Sequence, residues 1–167
     1  MRIYLVGFMG CGKSSLGRRL AKKLEYPFLD LDAEVEKQSG RTIPGLFAEK
    51  GEEYFRKLEQ EVLHKTTDLS RAVIATGGGT PYYFDNMDFM NGQGVTVYLK
   101  MSPVSLSHRL ENSRRTRPVI EGHKGKDLYQ LVRKKLDERE PVYMRSQCII
   151  KGESAKPDQI ISLVFGT

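Results

Sequence analysis

Gly7-Phe8-Met9-Gly10-Cys11-Gly12-Lys13-Ser14 fits G-x-x-x-x-G-K-[ST], the spacing of a phosphate-binding P-loop. Glycines let backbone N–H groups turn inward and approach phosphate oxygens with no side chain in the way. A helix that follows directs its positive dipole end at the same anion. Lys13 places a compact cation near the β- and γ-phosphates, and the Ser14 hydroxyl suits Mg²⁺, which takes oxygen ligands. The motif's context is met. The apolar run Ile3-Tyr4-Leu5-Val6 precedes it, and a helical pattern with Leu16, Leu20, Ala21 and Leu24 on one face follows.

Other residues have the types that phosphoryl chemistry needs. Asp30-Leu31-Asp32 ends an apolar run; on an extended chain both carboxylates point the same way. One could hold a magnesium-bound water and the other accept a proton from a substrate hydroxyl. Asp32 could instead cap a helix starting at Ala33-Glu34-Val35. The upstream P-loop favours the chemical reading, since Mg²⁺ on phosphates needs carboxylate support. Thr76-Gly77-Gly78-Gly79-Thr80-Pro81 follows another apolar run. Three successive glycines cost backbone entropy and pack nothing, so a close approach of main chain to a ligand is their expected reason. The run before them, Val73-Ile74-Ala75-Thr76, carries no acid where many P-loop proteins place one. Asp30 is the expected substitute.

Arg139 is informative by phase. Leu128, Leu131, Val132 and Leu136 form an apolar helical stripe, and Arg139 takes its next position. An arginine aimed inward there suits bidentate binding of an anion. Arg56 adjoins the stripe Phe55, Leu58, Val62, and is either a ligand or an ordinary salt-bridge partner of nearby glutamates. His64, His108 and His123 show no metal-ligand spacing.

These residues need a scaffold. Short apolar runs at 3–6, 28–31, 73–75, 95–99 and 148–150 alternate with helical patterns. That alternation predicts an α/β three-layer sandwich: a parallel sheet of about five strands with helices on both faces. Ligands in such sheets bind beyond the carboxyl ends of the strands, where the motifs fall. Two segments interrupt the pattern. Residues 39–51 are rich in turn signals. Residues 112–126 are basic and glycine-containing, and read as a mobile lid.

The 167 residues predict a single domain, 1–167. No apolar run approaches the ~20 residues of a membrane span, and Met1-Arg2-Ile3 leads directly into the first strand. Two cysteines make no disulfide framework, so a reduced cytoplasmic protein is expected. The net charge of +6 suits nucleic acid or a small polyanion. The basic residues are dispersed and lack interleaved aromatics, which favours small phosphates over nucleic acid.

Taken together, the chain resembles the shikimate kinase family, small P-loop enzymes related to nucleoside monophosphate kinases. The resemblance rests on the P-loop, on Phe28-Leu29-Asp30-Leu31-Asp32, and on Gly51-Glu52-Glu53-Tyr54-Phe55-Arg56-Lys57-Leu58-Glu59. Gly77-Gly78-Gly79, Arg117-Pro118 and Arg139-Glu140-Pro141-Val142-Tyr143 complete it. It implies transfer of the ATP γ-phosphoryl group to the 3-hydroxyl of shikimate. It implies that Gly10, Cys11, Gly12, Lys13, Ser14 and Ser15 cradle ATP, with Ser14 on Mg²⁺ and Asp30 holding the metal through water. It implies that Asp32 orients or deprotonates the attacking hydroxyl, and that Arg56 and Arg139 grip the substrate carboxylate. Gly77, Gly78 and Gly79 would approach substrate, and Arg117 would descend with the lid onto the phosphates. Substrate contacts would concentrate in residues 32–60, and a monomer is expected.

One departure concerns adenine. Many relatives carry an arginine ahead of the last helix, where this chain has Glu153-Ser154-Ala155-Lys156-Pro157. Lys156, the Pro157 backbone or Arg109 is left to contact the base. The rival readings are a related small-metabolite kinase such as a gluconate kinase, and a nucleotide-dependent binding module without phosphotransfer. Asp32 and the paired arginines argue against the second. Lys13→Ala is expected to leave the fold intact and abolish phosphotransfer, because this cation neutralises charge on the transferred group. Thermal melting and an ADP-release assay check it. A folded Lys13→Ala protein that still turned over would remove this loop from the chemistry.

Overall fold

Each of the five apolar runs becomes a strand: β1 Arg2–Val6, β2 Phe28–Asp30, β3 Ala72–Ala75, β4 Val95–Lys100 and β5 Cys148–Lys151. The structure is a computed structural model and describes residues 1–114 and 117–167. All strand pairs are parallel, in the order β2-β3-β1-β4-β5. Leu5 of β1 pairs with Ala75 on one side and Val97 on the other. Ile3, Leu5, Val73, Ile74 and Val97 are fully buried. A strand covered on both faces reads as a continuous apolar run, which is why these segments lack alternation.

The helices are α1 Lys13–Leu24, α2 Leu31–Ser39, α3 Ile43–Lys65, α4 Asn86–Gln93, α5 Pro103–Glu111, α6 Gly125–Tyr143 and α7 Pro157–Phe165. They cover the sheet as the alternating pattern requires. Leu16, Leu20 and Ala21 are buried on α1, matching the predicted face. On α6 the buried stripe is Leu128, Val132, Leu136, Arg139 and Tyr143, so Arg139 keeps its apolar phase. No helix among the described residues is long and apolar enough to cross a membrane.

Three expectations change. The run at 28–31 stops being a strand at Asp30, whose side chain accepts from the Ala33 N–H at 3.3 Å and caps α2. Asp30, not Asp32, is therefore the cap, and Asp32 sits in the first helical turn. The argument from an extended chain for that pair does not hold. Residues 39–51 are mostly helical. Gly40 ends α2, and Thr42 caps α3 by accepting from the Gly45 N–H at 3.1 Å. The turn signals there were a C-cap, an N-cap and a kink. The kink is Gly51, with φ 83° and ψ 169°, which splits α3 into 43–50 and 52–65. Within 112–126, a single turn covers Pro118–Ile120 and α6 begins at Gly125. Arg115 and Thr116, part of the expected lid, lie outside the described residues.

Candidate active site

The loop after β1 carries the phosphate-binding motif. Gly10 and Gly12 adopt φ 82° and 93°, the left-handed region open to glycine, and Gly12 caps α1. The first turn of α1 has no acidic residue and its cap makes no side-chain hydrogen bond. Its leading N–H groups therefore present a positive dipole end to an anion. Lys13 is buried and folds over its own loop, donating to Gly7 O at 2.6 Å and Phe8 O at 3.0 Å. Cys11 is buried with a free thiol, and Cys148 is half-buried and also free.

Ser14 Oγ donates to Asp30 Oδ2 at 2.7 Å. This fits the expected metal pair, for both groups are hard oxygen donors on adjacent elements. Among the described residues there is no cluster of three or more His, Cys, Asp or Glu suited to a metal. A divalent cation at this pair would take its other ligands from phosphate and water, as Mg²⁺ prefers. At the end of β3, Thr76 replaces the missing acid and donates to Leu5 O at 2.8 Å, which fastens the strand ends together.

Two cavities meet beyond the sheet. One of about 630 Å³ is lined by Gly10, Gly12, Lys13, Ser14 and Ser15, with Arg109 beside Gly12. Of the adenine candidates, Arg109 lines this cavity and Lys156 and Pro157 do not. The other, about 490 Å³, is walled by Ile43, Pro44, Phe47 and Phe55 and ends at Arg56 and Arg139. Met9, Asp30, Asp32, Gly77, Gly78 and Arg117 line both. Asp32 and Arg117 thus stand at the junction, where a group passing between the cavities would be held.

The far end of the second cavity is unusually charged. Arg56 and Arg139 are only 6% and 3% exposed. Arg56 Nη1 donates to Glu59 Oε1 at 3.0 Å, one turn along α3. Arg56 therefore does both things the sequence left open: it pairs with a glutamate and it lines the cavity. Glu59 is 1% exposed, and its other oxygen accepts from the Thr80 hydroxyl at 2.8 Å. That hydroxyl accepts in turn from the Gly77 N–H at 2.9 Å. Burial pushes the Glu59 carboxyl up, while the Arg56 guanidinium and the Thr80 hydroxyl pull it down. Arg56 Nε and Arg139 Nη1 are buried N–H groups without a hydrogen-bond partner among the described residues. Leaving such donors unmade costs about 1–3 kcal/mol each, so each marks a place for an acceptor.

The three glycines have a reason besides the expected approach to a ligand. None is left-handed. A Cβ on Gly77 would lie 2.9 Å from Asp32 Oδ1 and 3.0 Å from Glu59 Oε2. One on Gly78 would lie 2.8 Å from Met9 N, and one on Gly79 2.6 Å from Arg56 Nη1. The close approach is to the site's own groups, and the loop threads between them while its backbone lines the cavity. Tyr143 of α6 donates its hydroxyl to Gly78 O, so the helix that carries Arg139 also holds this loop. Glu59, Thr80 and Tyr143 were assigned no role from sequence. The only signal was the Arg56/Glu59 spacing of three, which puts both on one helical face.

A family model described as shikimate kinase matches residues 9–166. The chain belongs to the shikimate kinase family. A shikimate kinase of Parabacteroides distasonis is 42% identical, over 91% of this chain and 88% of that one. The solved shikimate kinase of Bacteroides thetaiotaomicron superposes with a TM-score of 0.92 at 36% identity, over 100% of this chain and 99% of that one. A shikimate kinase from Acinetobacter baumannii, solved in complex with shikimate, gives 0.88 at 35% identity, over 99% and 93%. A gluconokinase from Sinorhizobium meliloti reaches 0.60 at 17% identity over 99% and 90%, which is a likeness of fold alone.

Asp30 caps α2 and is the expected metal ligand, and substitution separates the two. Asn caps a helix about as well as Asp but carries no charge. Asp30→Asn is expected to keep the melting temperature and raise the Mg²⁺ concentration needed for half-maximal rate. Asp30→Ala is expected to do the same and lose about 1 kcal/mol of stability as well. Melting curves and Mg²⁺ titrations of activity check both; an unchanged Mg²⁺ requirement in either variant contradicts the metal role.

Proposed function

We infer that this shikimate kinase family member transfers the γ-phosphoryl group of ATP to the 3-hydroxyl of shikimate, giving shikimate 3-phosphate and ADP. The observation that carries the reading is the pair of buried guanidiniums, Arg56 and Arg139, that line the second cavity and have N–H groups unpartnered among the described residues. A carboxylate accepts from two such groups at once. The walls of Phe47, Phe55, Ile43 and Pro44 suit the apolar side of a six-membered ring.

The lining of the two cavities supports a role for each residue. Gly10, Cys11, Gly12, Ser14 and Ser15 hold the phosphates through backbone N–H groups, and Lys13 leaves its loop carbonyls to reach the transferred group. Ser14 and Asp30 would hold Mg²⁺, which supplies charge neutralisation on the phosphates. Asp32 accepts the proton of the attacking hydroxyl, or a hydrogen bond from it, at the junction of the cavities. Arg117 is assigned to the transferred phosphoryl group, and the segment 112–126 around it to closing over both substrates. Gly77, Gly78 and Gly79 form the substrate wall between Asp32 and Arg56. Position and positive charge do most of the work, because the transferred group needs little covalent help.

ADP release with ATP and Mg²⁺ is expected with shikimate and not with gluconate, quinate or nucleoside monophosphates; comparable gluconate turnover would transfer the assignment to the rival kinase. Asp32→Asn is expected to cut kcat by about 10²–10⁴-fold, with ATP affinity and melting temperature little changed. Asp32 is not the helix cap, so the stability control is clean. Steady-state kinetics checks the prediction, and near-normal turnover removes Asp32 from proton transfer.

A further inference from the structure

Tyr83 lies outside every motif above. It follows the single turn Thr80–Tyr82 that leaves the glycine loop. Its ring faces the Arg56 guanidinium, with 4.1 Å between the guanidinium carbon and the ring centroid. Phe55, the chain neighbour of Arg56, is farther away at 5.0 Å. The Tyr83 hydroxyl donates to Glu52 Oε1 at 3.0 Å. Glu52 is the first residue after the Gly51 kink and lies four residues before Arg56, on the same helical segment. The side chain therefore spans from the loop to the helix and crosses the guanidinium on the way.

The backbone beside it is strained. Phe84 has φ 52°, a left-handed conformation that bulky residues rarely adopt. Its side chain is 54% exposed, so burial of Phe84 does not offset the strain. The surrounding loop is firmly held. Tyr82 N donates to Gly79 O at 3.0 Å and Asn86 N to Tyr83 O at 3.3 Å. The fully buried Asn86 side chain donates to Thr80 O at 2.9 Å. Strain of this kind persists where the surroundings over-determine it, and it clusters at functional positions. What this turn achieves is the placement of the Tyr83 ring.

We propose that Tyr83 is a positioning residue that fixes the plane of the Arg56 guanidinium for the substrate carboxylate. This rests on the reading of Arg56 as a carboxylate ligand. The Glu59 bond holds one nitrogen and does not by itself fix the plane. A flat aromatic face against the guanidinium does so. Two-pronged pairing with a carboxylate requires the two groups to be coplanar, so plane control acts on substrate binding.

The test uses Tyr83→Leu, Tyr83→Phe, Arg56→Lys and the Tyr83→Leu/Arg56→Lys double variant. Tyr83→Leu is expected to raise the shikimate KM by about 3- to 30-fold, the range of a desolvated cation–π contact. The ATP KM stays the same. Tyr83→Phe keeps the ring, loses the Glu52 tie and shows a smaller rise. In the double variant, Tyr83→Leu adds nothing to the loss already caused by Arg56→Lys, because the group it positions is gone. Additive losses, or equal rises in both KM values, would show that Tyr83 only supports the fold. If Arg56→Lys raises the shikimate KM while Tyr83→Leu leaves it unchanged, the positioning role falls and the carboxylate reading stands. If Arg56→Lys itself leaves that KM unchanged, both fall together.

Discussion

Two guanidinium groups are held out of water at one end of a cavity, and much of the site is arranged around that fact. A buried charge is costly unless it is paired and hydrogen-bonded. Arg56 is half provided for by Glu59, which also binds Thr80 and through it the Gly77 N–H. The glycines are explained by the same demand. Side chains at 77 or 79 would collide with Glu59, Asp32 or Arg56 itself. Arg139 interrupts an otherwise apolar stripe on α6, and its helix reaches the same loop through Tyr143. Burial pushes the Tyr143 phenol well up, so it stays protonated and remains a hydrogen-bond donor. Both arginines keep one buried N–H unmatched among the described residues.

At the other end the device is backbone. Left-handed glycines turn the chain into α1, whose N-terminus faces the first cavity. Fold and site share residues there. Asp30 caps α2 with one oxygen and accepts from Ser14 with the other. Thr76 ties β3 to β1 at the strand ends where an acid often stands. Asp32 and Arg117 line both cavities.

Sequence reading succeeded where chemistry depends on local spacing. The P-loop needs only a strand, a loop and a helix in succession. Arg139 was legible because helical phase carries burial with it. The strands at the sheet centre were legible because burial on both faces leaves a continuous apolar run. Reading failed where the outcome depends on partners distant in sequence. The helix cap falls on Asp30 and not on Asp32, because the strand ends at Asp30, whose carboxylate accepts from the Ala33 N–H. Turn-like composition at 39–51 concealed the helical segment 43–50, since Gly, Thr and Pro also serve as caps and first-turn residues. The glycines were correctly marked as a close approach, but what they approach lies on α2, α3 and the P-loop. The ring of Tyr83 against Arg56 has no local signal at all.

The central claim is that Arg139 binds a carboxylate, and a shikimate analogue with a neutral amide in its place tests it most directly. Arg139→Lys keeps the charge but loses the planar pair of hydrogen bonds. The account predicts that the amide is a poor substrate for the unaltered enzyme. It also predicts that kcat/KM for the amide is nearly the same in Arg139→Lys, while kcat/KM for shikimate falls strongly. If the amide distinguishes the two enzymes as sharply as shikimate does, Arg139 does not bind the carboxylate, and the account of this end of the cavity is wrong.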